Sequence, residues 1–374
     1  MVLQWITVGA CVPWGQNPEP PQLHATKGEL EKRGAVFRPV GLYAVIRPDF
    51  LGLSDKEKSD LRVLHVKYSH VVLETWKGER EDWKYLRDLP NLKEIVWGGR
   101  HFHDGWCKEI ETFTQLEGLF FHGKLTDRGL AVVEKLPNLV ALSLLDTNIT
   151  DDGLRHLKNL KKLRWLSLNG CRNVTDKGLV HLKGLTNLED LNLEMTKTTS
   201  KGMAHLKGLT KLKRIRLSDY ADQAFAELGK PKPKEVGLKQ FANLTELRRI
   251  DGSSRVVSDD DLKSLARLTK LEILNLRSTD ISDEGLAHLV HLKSLKELEL
   301  YGTGVTNQGL SHLRKLTKLE SLELGLTLVD DGAIEHLRTM THLRYLGLFG
   351  TEVSKQGIEK LRRALPRTKI RGME

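Results

Sequence analysis

Six histidines occupy one place in a phrase, GLxHL or a close variant, that recurs along the chain. They are His156, His181, His205, His288, His312 and His336. Histidine is a common zinc ligand, and zinc ligands converge on one point about 2.0–2.1 Å from each nitrogen. Equivalent positions on neighbouring packed helices project in parallel and lie about 8–10 Å apart. The pattern therefore favours repeated helix-surface residues over a metal site.

The segment HFHDGWC, residues 101–107, is a better metal candidate because His101, His103, Asp104 and Cys107 lie close together. These residues have no ligand spacing typical of a known metal site, so an ordinary turn is the favoured interpretation. No metal or other cofactor is assigned from the sequence.

Glu299 and Glu323 would be neighbours if successive repeats paired in register. Two carboxylates about 5 Å apart could act as a retaining glycosidase pair. An open, shallow sheet provides no pocket that would exclude water, and the sequence contains no nucleotide loop, nucleophile elbow or HExxH motif. The chain is therefore predicted not to be an enzyme.

The elements that position these residues follow an internal repeat. We use the first leucine of each LxxLxL box as a ruler; successive ruler leucines are mostly 24 residues apart, with single intervals of 23, 25 and 35. The ruler leucines are Leu92, Leu116, Leu139, Leu163, Leu188, Leu212, Leu247, Leu271, Leu295, Leu319 and Leu343, with Leu61 as a looser copy. A period in this range is typical of a strand-and-helix solenoid.

One repeat, residues 271–294, shows how each unit should fold. LEILNLR alternates apolar and polar residues, so Leu274 and Leu276 are predicted to point into the core of a strand. Ser282 is a helix N-cap candidate, and the leucines that follow at spacings of three form an apolar stripe. Strands sit about 4.8 Å apart and helices about 8–10 Å apart, so the strands must line the inside of an arc.

The predicted fold class is an α/β solenoid, a horseshoe with a concave parallel β-sheet of roughly twelve strands, on the order of 50 Å long, and convex helices. Residues 1–22 are assigned to a flexible leader and 23–60 to an N-terminal cap that contains the extended run GLYAVI. The solenoid proper spans 61–374, with an insertion at 219–236 and a C-terminal cap at 361–374. Pro366 should end the last helix and leave TKI to close the sheet.

Charge and cysteine content limit the setting. The formal net charge is +10, but many basic residues recur late in the predicted helices, without the interleaved aromatics of a nucleic-acid-binding surface. No apolar run approaches the ~20 residues of a membrane helix. Three scattered cysteines favour a reducing, cytoplasmic location. An exported or lipid-anchored protein is the alternative, because VGAC near the N-terminus resembles a lipoprotein cleavage box, although no Lys or Arg precedes Lys27.

The unit LxxLxLxxTxITDxGLxxLxxLxx, over residues 92–374, resembles the cysteine-containing, ribonuclease-inhibitor-like leucine-rich repeats of F-box proteins. It is most similar to the threonine-bearing bacterial versions abundant in planctomycetes. Cys171 keeps the cysteine form, and most other repeats place threonine there: Thr147, Thr196, Thr279, Thr303, Thr327 and Thr351. The resemblance implies a protein-interaction scaffold and either side chain inside the turn. No F-box is recognisable in residues 1–60.

Two rows of side chains should line the concave sheet, at the second and fourth positions after each ruler leucine. Asp190 with Arg214, and Arg216 with Asp251, are expected as cross-strand ion pairs, whereas Arg214 beside Arg249 and Glu299 beside Glu323 are like-charge neighbours that destabilise unless compensated. The predicted partner-binding residues are Trp165, Asp190, Glu194, Arg214, Arg216, Arg249, Asp251, Arg277, Glu297, Glu299, Tyr301, Glu323, Tyr345 and Phe349.

The sequence thus predicts a monomeric, non-enzymatic scaffold that binds a protein partner on its concave face, with neither nucleic acid nor a membrane span involved. Arginines would face acidic groups of the partner and glutamates basic ones. Two alternatives stay open: a substrate-recognition adaptor of a ubiquitin-ligase-like complex, and an exported lipoprotein-type surface binding protein. The insertion at 219–236 should overhang one rim of the horseshoe, either as part of the binding surface or as a tolerated surface loop.

Overall fold

Fourteen parallel strands in chain order form one open sheet in the part of the chain that the structure describes. The structure, a computed structural model, describes residues 44–45, 70–73, 92–98, 103–218 and 238–372. The strands are β1 Ala44–Val45, β2 His70–Leu73, β3 Glu94–Gly98, β4 Gly118–His122, β5 Ala141–Leu145, β6 Trp165–Ser167, β7 Asp190–Asn192, β8 Arg214–Arg216, β9 Arg249–Asp251, β10 Ile273–Asn275, β11 Glu297–Glu299, β12 Ser321–Glu323, β13 Tyr345–Gly347 and β14 Lys369–Arg371. This confirms the predicted sheet and its period.

Register follows the ruler, because every ruler leucine from Leu92 onward is almost fully buried and fixes which strand face points inward. Ile273 pairs with Glu297, and Glu297 pairs with Ser321. The ruler is wrong at its first position, Leu61. The strand in register with β3 is β2, whose His70 pairs with Glu94, and β2 lies beyond the loose LxxLxL copy at Leu61.

Short helices form the other layer, because a period near 24 leaves few residues after the strand and its turn. The α-helices are α1 Cys107–Ile110, α2 Asp127–Leu130, α3 Asp151–Leu154, α4 Asp176–Leu179, α5 Ser200–Met203, α6 Asp259–Ser264, α7 Asp283–His288, α8 Asn307–Leu313, α9 Ile334–Leu337 and α10 Lys355–Ala364. Turns of 3-10 helix accompany most of them, at Asp104–Trp106, Ala131–Lys135, Arg155–Leu157, Val180–Leu182, Ala204–Leu206, Leu238–Phe241, Leu265–Arg267, Leu289–His291 and Asp331–Ala333.

In seven of the described repeats, an aspartate at the start of the helical segment joins its repeat to the next. In the predicted unit, Ser282 caps α7, and Asp283 directly follows it. The Asp283 carboxylate accepts hydrogen bonds from the backbone N–H of Thr306 at 2.8 Å and from its hydroxyl at 2.5 Å. Thr306 is itself the N-cap of α8. Six further links of this kind join Asp104 to Thr126, Asp127 to Thr150, Asp151 to Thr175, Asp176 to Thr199, Asp259 to Ser282 and Asp331 to Ser354.

The threonine position of the repeat is buried inside the turn, as the resemblance implies. Thr303 Oγ1 donates to the carbonyl oxygen of Leu300 at 2.7 Å, and the Cys171 thiol donates to the carbonyl oxygen of Leu144 at 2.9 Å. Burial raises the pKa of the Cys171 thiol to about 11, so the thiol stays protonated near neutral pH.

Arg255 occupies this position in the repeat that begins at Leu247, and only 2% of its surface is exposed. Its Nε donates to the carbonyl oxygen of Leu217 at 2.5 Å, and its Nη1 donates to that of Thr198 at 3.1 Å. A long side chain thus reaches the two preceding repeats, next to the point where the chain carries its insertion. Residues 219–236 of that insertion lie outside the described residues.

The two ends of the sheet agree with the sequence where they are described. β1 lies within the extended run GLYAVI and pairs in parallel with β2. At the other end α10 stops at Ala364, two residues before Pro366, and β14 pairs with β13 through Ile370 and Leu346. The whole of the predicted leader at 1–22 lies outside the described residues, and so does the predicted cap at 23–60 apart from β1.

Candidate functional site

The concave face carries two rows of side chains that cross the strands in register. Row one holds Gly118, Ala141, Trp165, Asp190, Arg214, Arg249, Ile273, Glu297, Ser321 and Tyr345. Row two holds Phe120, Ser143, Ser167, Asn192, Arg216, Asp251, Asn275, Glu299, Glu323 and Gly347. Most of the predicted site residues lie in these rows, because strand register follows the repeat.

Asp190 lies beside the arginines of the concave face, Arg214, Arg216 and Arg249, which we call the basic half. The Asp190 carboxylate is almost fully buried and forms ion pairs with Arg214, whose Nε lies 2.7 Å away, and with Arg216, whose Nη2 lies 3.0 Å away. The predicted pair of Asp190 with Arg214 is therefore confirmed, but the predicted pair of Arg216 with Asp251 does not form. Asp251 instead accepts the backbone N–H and the hydroxyl of Ser253, at 3.2 and 2.8 Å. A buried carboxylate favours a second cation, so Arg216 reaches back to Asp190.

Glu194, at the edge of the same half, is half-buried and held by hydrogen bonds within the chain. Its carboxylate accepts hydrogen bonds from Asn192 Nδ2 at 2.7 Å, Ser218 Oγ at 2.7 Å and Asn169 Nδ2 at 3.2 Å. These donors come from three successive repeats, so Glu194 cross-links them. Its acceptor capacity is largely used within the chain, which makes it a weaker candidate contact than the sequence suggests.

The acidic patch, defined as Glu297, Glu299 and Glu323, is the opposite case. The three residues lie in β11 and β12, and Glu299 pairs in register with Glu323. Burial, followed by the nearby Glu323 carboxylate, raises the pKa of Glu299 above its usual value. Glu323 accepts the Tyr345 hydroxyl and the Gly325 backbone N–H, each at 2.9 Å. Burial and this bond to Glu323 raise the pKa of Tyr345 to about 12.

In a neighbouring row, just before the strands begin, like-charge repulsion is avoided because opposite charges form ion pairs. Apart from Val140, the residues directly after the ruler leucines from Leu92 onward are charged, and most neighbours in the row have opposite signs. Their ion pairs join Lys93 to Glu117, Arg164 and Lys213 to Glu189, Arg248 and Lys296 to Glu272, and Arg344 to Glu320, at 2.6–3.3 Å. Within the described residues, by contrast, no carboxylate of the acidic patch has an ion pair. The like charges on the concave face are therefore a local departure from the chain's own pattern.

The predicted aromatic residues do not all lie on the concave rows. Trp165 does, and it packs against Phe120 with ring centroids 5.9 Å apart. Tyr301 and Phe349 instead follow the C-terminal ends of β11 and β13, along the edge of the sheet that these strand ends form. The Arg277 guanidinium lies over the Tyr301 ring, 3.9 Å from its centroid, so this cation and this ring are already partnered within the chain.

Sequence reasoning missed two exposed leucines at this edge. Leu326 is 49% exposed and Leu328 66% exposed, next to Phe349 at 57%. The available signal was a departure from the repeat: Leu328 stands where other repeats have Asp280, Gly304 or Glu352. A search for apolar periodicity passes over such positions, because leucine is the commonest residue of the repeat.

The residues considered for metal binding have other partners. Asp104 accepts the backbone N–H and the hydroxyl of Thr126, and burial raises the pKa of the Cys107 thiol to about 12. His103 Nδ1 accepts the Gly105 N–H at 3.1 Å, while His101 lies outside the described residues. Of the recurring histidines, His156 contacts the Glu134 carboxylate at 2.7 Å. No cluster of three or more possible metal ligands occurs among the residues that the structure describes.

The comparisons bear on the fold. A family model described as Leucine Rich repeat matches residues 267–290, which include β10 and α7. A solved structure of an internalin from Listeria monocytogenes is 21% identical, with a TM-score of 0.61, over 85% of this chain and 84% of that chain. The fold is a leucine-rich-repeat solenoid.

Two further solved structures agree. A leucine-rich-repeat protein from Leptospira interrogans is 17% identical, with a TM-score of 0.53, over 95% of this chain and all of that chain (100%). A TDR receptor is 16% identical, with a TM-score of 0.52, over 79% of this chain and 49% of that chain. Comparison with curated proteins finds no match. In the described part of the chain, no helix is long and apolar enough to cross a membrane.

Proposed function

We propose that the chain is a non-enzymatic scaffold that holds a protein partner on the concave face of its sheet. The observation that carries the proposal is the acidic patch. Glu299 and Glu323 pair in register, Glu297 lies two residues from Glu299, and none of the three has an ion pair to a described residue. The charged residues directly after the ruler leucines are, by contrast, all ion-paired. Like charges on neighbouring strands destabilise a sheet, and a basic partner would remove that repulsion.

The proposed partner is protein-sized because of the shape of the face. Strands about 4.8 Å apart carry the two rows across an open surface with shallow relief. Such a surface suits the roughly 800 Å² per partner of a protein interface better than the enclosed pocket of a metabolite. An open surface also leaves water in contact with Glu299 and Glu323, which argues against the glycosidase alternative.

The arginines of the basic half should contribute less to partner binding than the acidic patch. Arg214 and Arg216 already share Asp190, and Arg277 is stacked on Tyr301. Contacts of these arginines and of Arg249 with acidic groups of a partner remain proposed, but they would compete with existing partners. The acidic patch should therefore dominate binding.

The test is affinity capture from the source cell with three forms of the chain, followed by quantitative mass spectrometry. The first is the native chain and the second carries Glu297→Gln, Glu299→Gln and Glu323→Gln. The third is a matched control with the same change at Glu111, Glu284 and Glu359, exposed residues outside the concave rows. We expect a protein that the native and control forms capture and that the patch variant captures at least tenfold less. A captured set that is the same for all three forms would refute the proposal.

Three finer points belong to the same proposal. Cys171 supports the cysteine-containing, ribonuclease-inhibitor-like subtype, and the threonines at the equivalent positions of other repeats support its planctomycete type. A reducing, cytoplasmic compartment is supported by Cys107 and Cys171, which are buried free thiols. The adaptor and lipoprotein alternatives depend on residues 1–60, of which only β1 is described.

A further inference from the structure

Three large apolar side chains are exposed in the described part of the chain, and all three lie in two neighbouring repeats. They are Leu326, Leu328 and Phe349, which we call the apolar ridge. The ridge follows the ends of β12 and β13, and the Leu326 N–H donates to the Phe349 carbonyl oxygen at 2.8 Å. Single exposed leucines are ordinary on a protein surface, but a cluster at one edge indicates an interaction site.

The fold does not require apolar residues at these positions. The equivalents of Phe349 in other repeats include Asn169, Ser218 and Ser253, and the equivalents of Leu328 include Asn148, Arg172, Lys197, Asp280 and Glu352. The same turn therefore forms with polar and charged side chains. The leucines and the phenylalanine must be explained by something outside the turn.

Leu326 takes a backbone conformation that leucine adopts rarely. Its φ is +50°, in the left-handed region; the same turn position holds Gly170, Gly302 and Gly350 in other repeats, and also Asp146, Met195, Ser254 and Ser278 with positive φ. Leucine adopts this conformation rarely because its Cβ crowds the following carbonyl. The Leu326 side chain lies against Gly350, where a Cβ would collide with its Cδ2 atom. A disfavoured residue type is thus held in a fixed, exposed position.

The ridge is continuous with the acidic patch. Glu323 accepts the N–H of Gly325, the residue immediately before Leu326. The Tyr301 ring lies against Gly325, since a Cβ at that glycine would be 2.7 Å from Tyr301 Cδ2. A ligand lying along these repeats would therefore touch the exposed apolar side chains and the carboxylates together.

We propose that the apolar ridge and the acidic patch together bind one extended segment of a protein partner, in which apolar residues lie next to lysine or arginine. This inference rests on the proposed function and adds the chemistry of the partner. The apolar residues of the segment would cover Leu326, Leu328 and Phe349, and its cations would lie over Glu297 and Glu323. The basic side chains of the last strand, Lys369 and Arg371, flank the site and would favour a segment whose positive charge ends before them.

The test uses a displayed library of random twelve-residue peptides, selected on the full chain. The enriched peptides are then synthesised, and their binding is measured by fluorescence anisotropy. The ridge variant is Leu326→Asn, Leu328→Asn and Phe349→Asn. Asparagine tolerates the left-handed conformation needed at Leu326, and it occurs at positions equivalent to Leu328 and Phe349, as Asn148 and Asn169, so this variant should fold as well as the native chain. The matched control is Leu145→Asn, at the Phe349-equivalent position of an earlier repeat.

We expect enriched peptides that combine apolar and basic residues. The ridge variant should weaken their binding at least tenfold, with an unchanged or higher urea midpoint, and the Leu145→Asn control should bind normally. The triple glutamine variant of the acidic patch should also weaken binding, by a factor that shrinks as salt is added.

Other outcomes separate this inference from the proposed function. Peptides that lose binding only with the patch variant would overturn the ridge proposal and leave the proposed function standing. A library that yields no peptide sensitive to either variant would count against both. Sedimentation that shows a dimer of the native chain and a monomer of the ridge variant would assign the ridge to a second copy, and would overturn the proposal of a basic, apolar segment.

Discussion

The link from Asp283 to the next repeat allows a quantitative test of how the solenoid is held together. The Asp283 carboxylate accepts two hydrogen bonds from Thr306, and it occupies the space that a Cβ at Gly309 would need. Hydrogen bonds to charged groups contribute about 1.5–3 kcal/mol each. Water can reach the partly exposed carboxylate and replace some of this, so Asp283→Ala should lower the free energy of unfolding by about 2–4 kcal/mol.

A second substitution makes the test sharper. Gly309→Ala alone should destabilise by roughly 1–3 kcal/mol, because the new Cβ meets Asp283 Oδ1. In the Asp283→Ala background that atom is gone. Alanine is a better helix residue than glycine by about 0.5–1 kcal/mol, so the same change should then be neutral or stabilising. The two substitutions should therefore be coupled by about 1–4 kcal/mol.

The assay is urea unfolding followed by circular dichroism, with amide hydrogen exchange across residues 282–313 to detect local opening. Exchange is needed because repeats of a solenoid can open separately, so one global transition is not assured. Asp280→Ala is the matched control, since Asp280 is exposed and three residues from Asp283. Equal effects at the two aspartates, or a cycle that is additive within about 0.5 kcal/mol, would refute the reasoning.

Three further predictions concern single residues. Arg255→Met should cost about 2–5 kcal/mol in urea unfolding, because two buried carbonyls lose their donor; a change under 1 kcal/mol would contradict this. Since the pKa of Glu299 is raised in the folded chain, its contribution to stability falls as pH rises, so Glu299→Gln should raise the urea midpoint at pH 7. That gain should fade towards pH 4 and exceed the gain from exposed Glu297→Gln. Cys107 and Cys171, with pKa values raised to about 12 and 11, should react slowly with iodoacetamide at pH 8 until urea unfolds the chain; fast labelling of the folded chain would contradict their burial.

The sequence predicts the fold well because a strict period determines strand register. Once Leu271 and Leu295 are both buried, Ile273 must lie opposite Glu297. The start of the repeats is predicted less well, since a loose LxxLxL copy at Leu61 outweighed a simple count back from Leu92. A count of 24 residues reaches position 68, just before β2 at His70–Leu73.

Side-chain partners are predicted less well than positions. The pattern places Asp283 near the positive end of α7, but its main partner is Thr306 in the following repeat. Likewise Arg216 lies beside Asp251 by register and yet pairs with Asp190. In both cases the residues within reach follow from the period, whereas the choice among them depends on burial and on rotamers that the pattern does not encode.

A residue that departs from the repeat is a candidate functional residue. Burial distinguishes departures that serve the fold from departures that the fold does not explain. Arg255 breaks the threonine pattern, but it is buried and donates to two backbone carbonyls, so the fold itself accounts for it. Leu328 breaks the polar pattern of its position with two thirds of its surface exposed, so its packing within the chain does not account for it. Arg255 is thus a departure that the fold explains, whereas exposed apolar surface beside carboxylates without ion pairs is the kind of departure that the proposed partner would explain.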